Sequence, residues 1–238
     1  MFNGKSILAV VPARGGSKGI KRKNLKEFLG KPLVAMVGEF TQSLDFLDKS
    51  VVSTDDQEIS DVANKYFLES PFVRPDELSG DQIGDVDVLK HALLASEKHY
   101  GITFDIILML QPTAPLRKKE DVVAVLTKIT KGKWDSVWTV SKSDPKHHPY
   151  KQLKILNNDQ LSLYDSRGKN IIARQQLDQL YYRNGNAYAF KRNSLLNTDT
   201  VLCTNTSYII SNSMSANIDT EGDILWAEFL AKDLGQAI

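Results

Sequence analysis

The sequence predicts an α/β fold, with a mostly parallel sheet and helices on both of its faces. Apolar runs that end in polar turns and lead into helical patterns recur several times within about the first 130 residues. Such an alternation of strand, loop and helix needs right-handed crossovers, which place helices on both faces of a parallel sheet. The most apolar run, residues 104–110, is predicted to lie at the centre of that sheet.

The first predicted strand leads into a loop that is rich in glycine and in cations. Residues 7–11 are all apolar, and Pro12 then removes a backbone donor and ends the strand. The loop that follows combines three glycines with several hydrogen-bond donors, which are Arg14, Gly15, Gly16, Ser17, Lys18, Gly19, Lys23 and Asn24. Glycines let the backbone approach a ligand closely, and exposed N–H groups beside cations suit a ligand with several phosphates.

Two common nucleotide-binding motifs do not account for this loop. Residues 4–6 (Gly-Lys-Ser) match only the end of Gly-x-x-x-x-Gly-Lys-Ser/Thr, lack its first glycine and precede the strand. The Gly-x-Gly-x-x-Gly fingerprint of dinucleotide-binding folds is missing from the loop as well. The loop therefore predicts a phosphate site of another kind.

The rest of the first half is predicted as further helices and strands. These elements are a helix over 31–43 with Pro32 near its first turn, a strand over 49–54, a helix over 57–67 capped by Thr54 or Asp55, an extended segment over 71–75, a long helix opened by Gly80-Asp81 and ended by Gly101, and a helix over 119–131. Ligand sites in such folds lie beyond the carboxyl ends of strands. Residues 14–24 and 111–117 are therefore predicted to meet in one site if their strands are neighbours.

The pattern changes after the strand predicted over 135–140. A polar stretch follows, with short candidate strands at 152–156 and 161–164 joined by a turn at Asn157-Asn158-Asp159. We therefore predict a single α/β domain over 1–238, with a small β-rich subdomain inserted at about 141–183.

The core is predicted to resume after this insertion. Strands are predicted over 184–190 and 207–210. A terminal amphipathic helix over 220–234 is predicted to bury Ile224, Leu225, Phe229 and Leu230.

Composition narrows the classes of partner. The chain has 30 Lys and Arg against 29 Asp and Glu, so its net charge gives no support for a nucleic-acid partner. Cys203 is the sole cysteine, which rules out an intramolecular disulfide, and no Cys/His cluster has zinc spacing. No signal peptide and no bilayer-spanning run is visible, so we expect a cytoplasmic protein with no membrane partner.

Residues 7–24 closely resemble the N-terminal signature of the sugar-activating cytidylyltransferases, and most of all the acylneuraminate (CMP-sialic acid synthetase) branch, which activates nonulosonic acids. Residues 110–117 and 74–81 match the same family, and the resemblance spans nearly the whole chain. It implies a Rossmann-like sheet of the nucleotide-diphospho-sugar transferase type. It also implies that the β-rich insertion forms the contact of a homodimer.

The resemblance implies a role for each of three groups of residues. The triphosphate of CTP and its cytidine would be bound by Ala13, Arg14, Gly15, Ser17, Lys18, Lys23, Asn24, Arg74 and Asp81. The sugar would be bound by Gln111, Thr113, Lys151, Arg174, Asn184 and Gly185. Two alternatives stay open, since Asp81 equally suits a helix cap and Arg117 equally suits an ion partner at a helix start.

The segment before the last helix is the predicted metal site. The family often has two aspartates separated by one residue here, which hold Mg²⁺, whereas this chain has Asn217 and Asp219. In an extended segment such residues point the same way, and Mg²⁺ needs few protein ligands because it also takes waters and phosphate oxygens. Mn²⁺ is the alternative metal, and a helix cap is the alternative role of Asp219.

The resemblance implies that the chain makes a CMP-sugar and pyrophosphate from CTP and N-acetylneuraminic acid or the related legionaminic acid, for lipopolysaccharide or capsule biosynthesis. The residues implied in catalysis are Arg14, Lys18, Lys23, Gln111 and Asp219. The alternatives are a CMP-pseudaminic acid or CMP-Kdo synthetase, a pyrophosphorylase that uses UTP or GTP, and a non-catalytic nucleotide-sugar-binding protein on the same fold.

Overall fold

The computed structural model describes residues 1–157, 159–212 and 216–233, in which the chain forms ten strands and six α-helices. The strands are β1 (Ile7–Pro12), β2 (Glu27–Phe28), β3 (Lys31–Pro32), β4 (Lys49–Ser53), β5 (Ile106–Met109), β6 (Ser136–Lys142), β7 (Leu153–Ile155), β8 (Leu161–Leu163), β9 (Tyr181–Lys191) and β10 (Thr206–Ile210). The helices are α1 (Leu33–Gln42), α2 (Gln57–Lys65), α3 (Asp85–Tyr100), α4 (Lys119–Thr130), α5 (Arg192–Leu196) and α6 (Glu221–Asp233).

The chain divides into two compact units. The first consists of Met1–Thr139 and Asn184–Ile238, and the second is Val140–Arg183. The described residues of the second unit form the antiparallel hairpin of β7 and β8 together with four short 3-10 helices.

A six-stranded sheet runs in the order β10-β6-β9-β5-β1-β4. Strand β1 is flanked by β4 and β5, both parallel to it. The predicted α/β fold is confirmed, but β5 has one antiparallel neighbour, β9, where the sequence predicted the centre of a parallel sheet. A parallel neighbour needs a crossover connection, and β9 follows the inserted segment instead of a crossover helix.

The core lies on both faces of the sheet. Side chains of β1 alternate between the faces: Ile7, Ala9 and Val11 pack with α1, α2 and α4, whereas Leu8 and Val10 pack with α3. All five are fully buried, as a strand covered on both faces requires. A third apolar cluster seats α6 against the segment that contains β2. No helix in the described ranges is long and apolar enough to cross a membrane.

Two predicted helix starts are wrong. The N-cap of α2 is Asp56, whose carboxylate accepts from the N–H of Ile59 at 3.1 Å, and neither Thr54 nor Asp55 takes that role. Helix α3 begins at Asp85 after Gly84, because the carboxylate of Asp81 is bound to cations elsewhere in the fold. A smaller difference concerns Pro32, which precedes α1 as its N-cap residue and closes a short hairpin with Glu27.

The buried face of α6 is also different from the predicted one. Ile224 and Leu230 are buried as expected, but Leu225 and Phe229 are 70% and 60% exposed. Ala227 and Ala231 take their places, because small side chains at that phase let the helix approach its neighbours closely. Two further predictions fall on Asn158 and Leu234, which lie outside the described residues.

The Gly-Lys-Ser tripeptide at residues 4–6 links the start of β1 to the start of β5 by contacts with Asp105. The backbone N–H of Ser6 donates to the carboxylate of Asp105 at 3.0 Å, and Lys5 forms an ion pair with the same carboxylate at 3.1 Å. Both contacts precede β1 and β5, whereas the predicted phosphate loop follows β1.

Candidate active site

The loop after β1 and the turn after β5 meet in one cavity, as predicted, because β1 and β5 are parallel neighbours. The cavity has a volume of about 550 Å³, which is in the range of small-ligand sites. Most of the predicted nucleotide residues, both predicted metal ligands and two predicted sugar residues line it: Arg14, Ser17, Lys18, Lys23, Asn24, Arg74, Asp81, Gln111, Thr113, Asn217 and Asp219. Ala13 and Gly15, which were also predicted to bind the nucleotide, are not among the lining residues, and Ala13 is fully buried in the core.

One hydrogen bond from within the loop and one from Asp55 fix the backbone of residues 14 and 15. The buried Asn24 donates from Nδ2 to the carbonyl of Arg14 at 2.9 Å, and the N–H of Gly15 donates to Asp55 at 2.9 Å. Position 15 requires glycine, because a Cβ there would lie 2.8 Å from a carboxylate oxygen of Asp56. Asn24 therefore shapes the loop with its amide as well as lining the cavity.

The cations of the loop are already paired with carboxylates across the cavity. Arg14 lies 2.7 Å from Asp81, Lys18 contacts the other oxygen of Asp81, and Lys23 lies 2.8 Å from Asp219. Hydrogen bonds from Lys18 and then Arg14 lower the pKa of Asp81 below its usual value. Asp81 therefore faces the cavity as an anion and is not a helix cap. Ion pairs this exposed are weak, so a polyanionic ligand can replace them.

Arg74 is fixed at the end of β4. Its Nε donates to the hydroxyl of Ser53 at 3.0 Å, its Nη2 donates to the carbonyl of Ser53, and its own N–H donates to Thr54 at 2.8 Å. Burial lowers the pKa of Arg74 to about 10, which leaves it charged at neutral pH. The remaining guanidinium N–H groups can donate to an acceptor such as the O2 atom of cytosine.

The turn after β5 presents Gln111 to the cavity. The N–H of Gln111 donates to the carbonyl of Gly185 at 3.4 Å, and the carbonyl of Gln111 accepts from Ala114 at 3.2 Å and from Arg117. Gly185 has φ of +77°, and a Cβ there would lie 2.7 Å from Oε1 of Gln111. The positive φ favours glycine at this position, and the end of the Gln111 side chain occupies the space that a Cβ would need.

The buried Arg117 does not act as an ion partner. Burial lowers its pKa to about 9, and no carboxylate among the described residues pairs with it. Its guanidinium instead caps the carbonyl of Gln111. The prediction of a helix-start ion pair is therefore wrong for Arg117.

The other predicted sugar residues lie elsewhere. Asn184 is fully buried, and its Oδ1 accepts from the hydroxyl of Thr139 at 2.7 Å, so its side chain belongs to the core. Lys151 and Arg174 belong to the second unit, where both are exposed. Arg174 and the buried His148 line a cavity of about 400 Å³ within that unit.

Burial alternates along residues 216–219, as the prediction of an extended segment requires. Ala216 and Ile218 are buried, whereas Asn217 and Asp219 are exposed on the same side. The two side chains approach to 3.5 Å, and the N–H of Ile218 anchors the segment on Thr113 at 2.8 Å.

The start of α6 does not use Asp219 as a cap. Asp223 accepts from the N–H and the hydroxyl of Thr220, and Thr220 in turn accepts from the N–H of Asp223. The carboxylate of Asp219 is thus left to face Lys23 and Asn217.

In this structure the amide nitrogen of Asn217 donates to the carboxylate of Asp219. An exposed carboxylate and an asparagine whose amide oxygen can also serve as a ligand fit the donor set of Mg²⁺ or Mn²⁺. The described residues hold no group of three acidic, histidine or cysteine side chains with metal-site geometry. A divalent cation here would complete its coordination with waters or with phosphate oxygens of a bound ligand.

Comparison with known proteins supports the predicted family. A family model described as "Cytidylyltransferase" matches residues 8–223. The chain belongs to the cytidylyltransferase family.

Two relatives of this cytidylyltransferase come from Campylobacter jejuni subsp. jejuni serotype O:2. A "CMP-N,N'-diacetyllegionaminic acid synthase" is 32% identical over 94% of each chain. A "Pseudaminic acid cytidylyltransferase" is 31% identical over 94% of this chain and 96% of the relative. Among solved structures, a CMP:2-keto-3-deoxy-manno-octonic acid synthetase complexed with CTP has the same fold, with a TM-score of 0.69 at 17% identity over 96% of this chain and 99% of the other.

Sequence reasoning missed two acidic residues of the cytidylyltransferase site. Asp55 accepts a hydrogen bond from the backbone N–H of Gly15. Asp85 lines the cavity, and its negative charge raises the pKa of Arg74, against the effect of burial. The signal for Asp55 was its place directly after the strand that pairs with β1. No signal in the sequence pointed to Asp85, because α3 was predicted to begin at Gly80-Asp81 and Asp85 was therefore not placed in its first turn.

Proposed function

We propose that this chain transfers CMP from CTP to the anomeric hydroxyl of a nine-carbon 2-keto acid sugar and releases pyrophosphate. One observation carries the proposal: in a member of the cytidylyltransferase family, the cationic loop, the Gln111 turn and Asp219 line the same cavity. The names of two relatives point to diacetyllegionaminic and pseudaminic acids as the class of substrate.

The cations of the loop suit the leaving group of this reaction. Arg14, Lys18 and Lys23 would exchange their carboxylate partners for phosphate oxygens, which carry more charge and accept shorter hydrogen bonds. When the bond to the α-phosphate breaks, negative charge grows on the departing pyrophosphate. Fixed cations at that point stabilise the transition state more than the ground state.

Asp219 and Asn217 are the proposed ligands of a divalent cation, Mg²⁺ or Mn²⁺. When bound, such a cation supplies Lewis-acid polarisation of the phosphate groups. The chain's own part is to hold an exposed carboxylate 2.8 Å from Lys23, at the rim of the cavity. Asparagine in place of the family's first aspartate leaves the site one charge less negative.

The sugar is proposed to meet Gln111 and the backbone of Gly185. Gln111 can both donate to and accept from a sugar hydroxyl, and its backbone is held on both sides. As the resemblance implies, Lys151 and Arg174 remain the proposed partners of the sugar carboxylate, because a guanidinium fork can bind a carboxylate in two places and an ammonium can pair with it as a point charge.

We also propose a homodimer, as the resemblance implies. Leu153, Ile155 and Leu161 on the β7–β8 hairpin are 58%, 78% and 67% exposed. A two-stranded hairpin with such an apolar surface is marginal in water, and a second copy would cover it. We expect the variant I155D to sediment as a monomer, with Leu225→Asp as the control, because Leu225 is 70% exposed on α6, outside the inserted subdomain.

Pyrophosphate release tests the proposed reaction. The enzyme is incubated with CTP and Mg²⁺ and with N-acetylneuraminate, diacetyllegionaminate, pseudaminate or Kdo in turn, and each sugar is repeated with UTP. We expect release with CTP and at least one nine-carbon sugar, and none with UTP. Release with Kdo alone would assign the octulosonate activity instead. CTP binding without release from any sugar would favour a nucleotide-sugar sensor.

A matched pair of variants links the activity to the cavity. Lys18 lines the cavity and Lys21 does not, although both are exposed lysines of the same loop. We expect K18M to raise the KM for CTP about tenfold, since it removes a charge-assisted phosphate contact. K21M should leave this KM within about twofold of the wild type.

A further inference from the structure

Arg117 is a charged side chain that the proposed reaction leaves without a role. It is 6% exposed, its Nε has no hydrogen-bond partner, and no carboxylate among the described residues pairs with it. The face of Phe40 lies 5.7 Å from the guanidinium carbon. Burying a guanidinium with no counter-ion costs folding free energy, so stability alone does not explain an arginine here.

The one hydrogen bond of Arg117 in the described structure goes to the backbone of Gln111. Its Nη2 donates to the carbonyl of Gln111, six residues earlier in the chain. That carbonyl already accepts from the N–H of Ala114 at 3.2 Å, so it would not be left unsatisfied without Arg117. The contact therefore adds rigidity to the turn and does not repair a missing hydrogen bond.

The backbone of Gln111 is held from both ends. Its N–H donates to Gly185 at 3.4 Å, and its carbonyl is fixed by Arg117 and Ala114. The side chain of Gln111 lies against the Cα of Gly185, where no Cβ would fit. A small rotation of the Gln111 peptide would move the amide that lines the cavity.

We propose that Arg117 is a positioning residue, which fixes the peptide of Gln111 so that the Gln111 amide is presented to the sugar acceptor. This inference rests on the proposed function, because it assigns Gln111 to the reacting sugar. Arg117 acts through Gln111, because it is not among the residues that line the cavity. Its loss is therefore expected to impair the use of the sugar and to spare the binding of CTP.

A double-mutant cycle tests this coupling in the full-length enzyme. The variants are R117M, Q111A and the pair, with K118M as a control that removes the neighbouring exposed cation. We expect R117M to lower kcat about 30-fold or more and to raise the KM for the sugar, because a misplacement of about 1 Å costs up to about 100-fold. CTP affinity by calorimetry should stay within about twofold, and K118M should match the wild type.

The cycle separates positioning from a general structural role. In the Q111A background R117M should cost less than about threefold more, because the side chain that Arg117 positions is gone. R117K should recover part of the activity, since an ammonium can still donate to the carbonyl. Independent losses that multiply in the double variant, or a parallel loss of CTP binding, would overturn the inference.

Hydrogen exchange tests whether the contact between Arg117 and the Gln111 carbonyl holds the turn, without any assay of activity. R117M should speed exchange of the N–H groups of Gln111 and Ala114, and R117K should speed it less because its ammonium can still donate to the carbonyl, whereas K118M should not speed it. Unchanged exchange in both Arg117 variants would overturn the inference even if the enzyme is active. A wild type that releases no pyrophosphate from any sugar would overturn the proposed function, and the exchange result would still decide the contact. If R117M does not fold, the comparison of R117K with the wild type and K118M tests the contact.

Discussion

Lys23 and Asp219 are separated by 196 positions in the chain, and the Nζ of one lies 2.8 Å from a carboxylate oxygen of the other. The contact closes the phosphate loop onto the segment that precedes α6. A second contact sits beside it, since a Cβ on Gly19 would lie 2.5 Å from the carbonyl oxygen of Asp219. The proposed phosphate ligands and the proposed metal ligand are thus held together by one interface.

Replacing Asp219 tests the metal assignment. D219N keeps the size of the side chain and removes its charge, so we expect kcat/KM to fall about 100-fold or more and more Mg²⁺ to be required. The reverse change, N217D, restores a second carboxylate and should lower the half-saturating Mg²⁺ concentration several-fold. Near-normal turnover of D219N at saturating Mg²⁺ would remove Asp219 from the metal site.

Gly19 tests the interface between the loop and Asp219. G19A places a methyl group 2.5 Å from a backbone oxygen, which does not yield as the end of a flexible side chain would. We expect the loop to shift and the affinity for CTP, measured by calorimetry, to fall about tenfold or more. G16A, in the same loop but with nothing within 4 Å of its Cβ, is the matched control. Equal affinities of the two variants would show that the contact is unimportant.

Asp81 pairs with Arg14 and Lys18, two of the cations proposed to bind phosphate. D81N removes that anion, so we expect inorganic pyrophosphate to bind about threefold more tightly, and most clearly at low salt. Isothermal calorimetry at two ionic strengths measures the effect. Weaker pyrophosphate binding in D81N would mean that the carboxylate organises the cations and does not compete for them.

A substitution of Glu97 tests how far its hydrogen bonds with Arg192 and Phe104 stabilise the α/β fold. Its carboxylate accepts from Arg192 at 2.7 and 2.8 Å and from the N–H of Phe104 at 3.1 Å, and these bonds, led by Arg192, lower its pKa below the ordinary 4.5. We expect E97Q to lose about 2 kcal/mol of unfolding free energy at neutral pH, because the substitution weakens partly buried hydrogen bonds in which both Glu97 and Arg192 are charged.

The pH dependence of this effect follows from the lowered pKa. A carboxylate whose pKa is lower in the folded state stabilises the protein fully above its unfolded pKa, and the stabilisation is lost as the pH falls through the folded value. The difference between wild type and E97Q in urea unfolding should therefore be constant from pH 5 to 7 and shrink below about pH 4.5. A difference that grows in acid would contradict the assignment.

The sequence predicts the site better than it predicts the ends of the elements around it. The loop of residues 14–24 and the Gln111 turn could be placed because apolar runs locate the strands and glycine, proline and cations follow them directly. Their convergence depended on β1 and β5 being neighbours, and only the structure supplies that pairing.

The errors arise where a residue acts on a distant partner. Aspartate is a common residue type at the start of a helix, yet the carboxylate of Asp81 pairs with Arg14, which is far away in the sequence. Arg117 is an ordinary surface residue by type, and no local pattern shows that it is buried. Helix α6 has apolar residues around much of its circumference, so periodicity alone did not choose between Phe229 and Ala231.

Phosphorus NMR of a single reaction tests the central claim most directly. The enzyme is mixed with CTP, Mg²⁺ and the sugar that gives most pyrophosphate, and the spectrum is followed with time. Transfer of CMP predicts that the three CTP resonances give way to one phosphodiester resonance and one pyrophosphate resonance of about twice its intensity, because each pyrophosphate holds two equivalent phosphorus atoms. Accumulation of CDP and inorganic phosphate, or a CTP spectrum unchanged by the enzyme, would contradict the account.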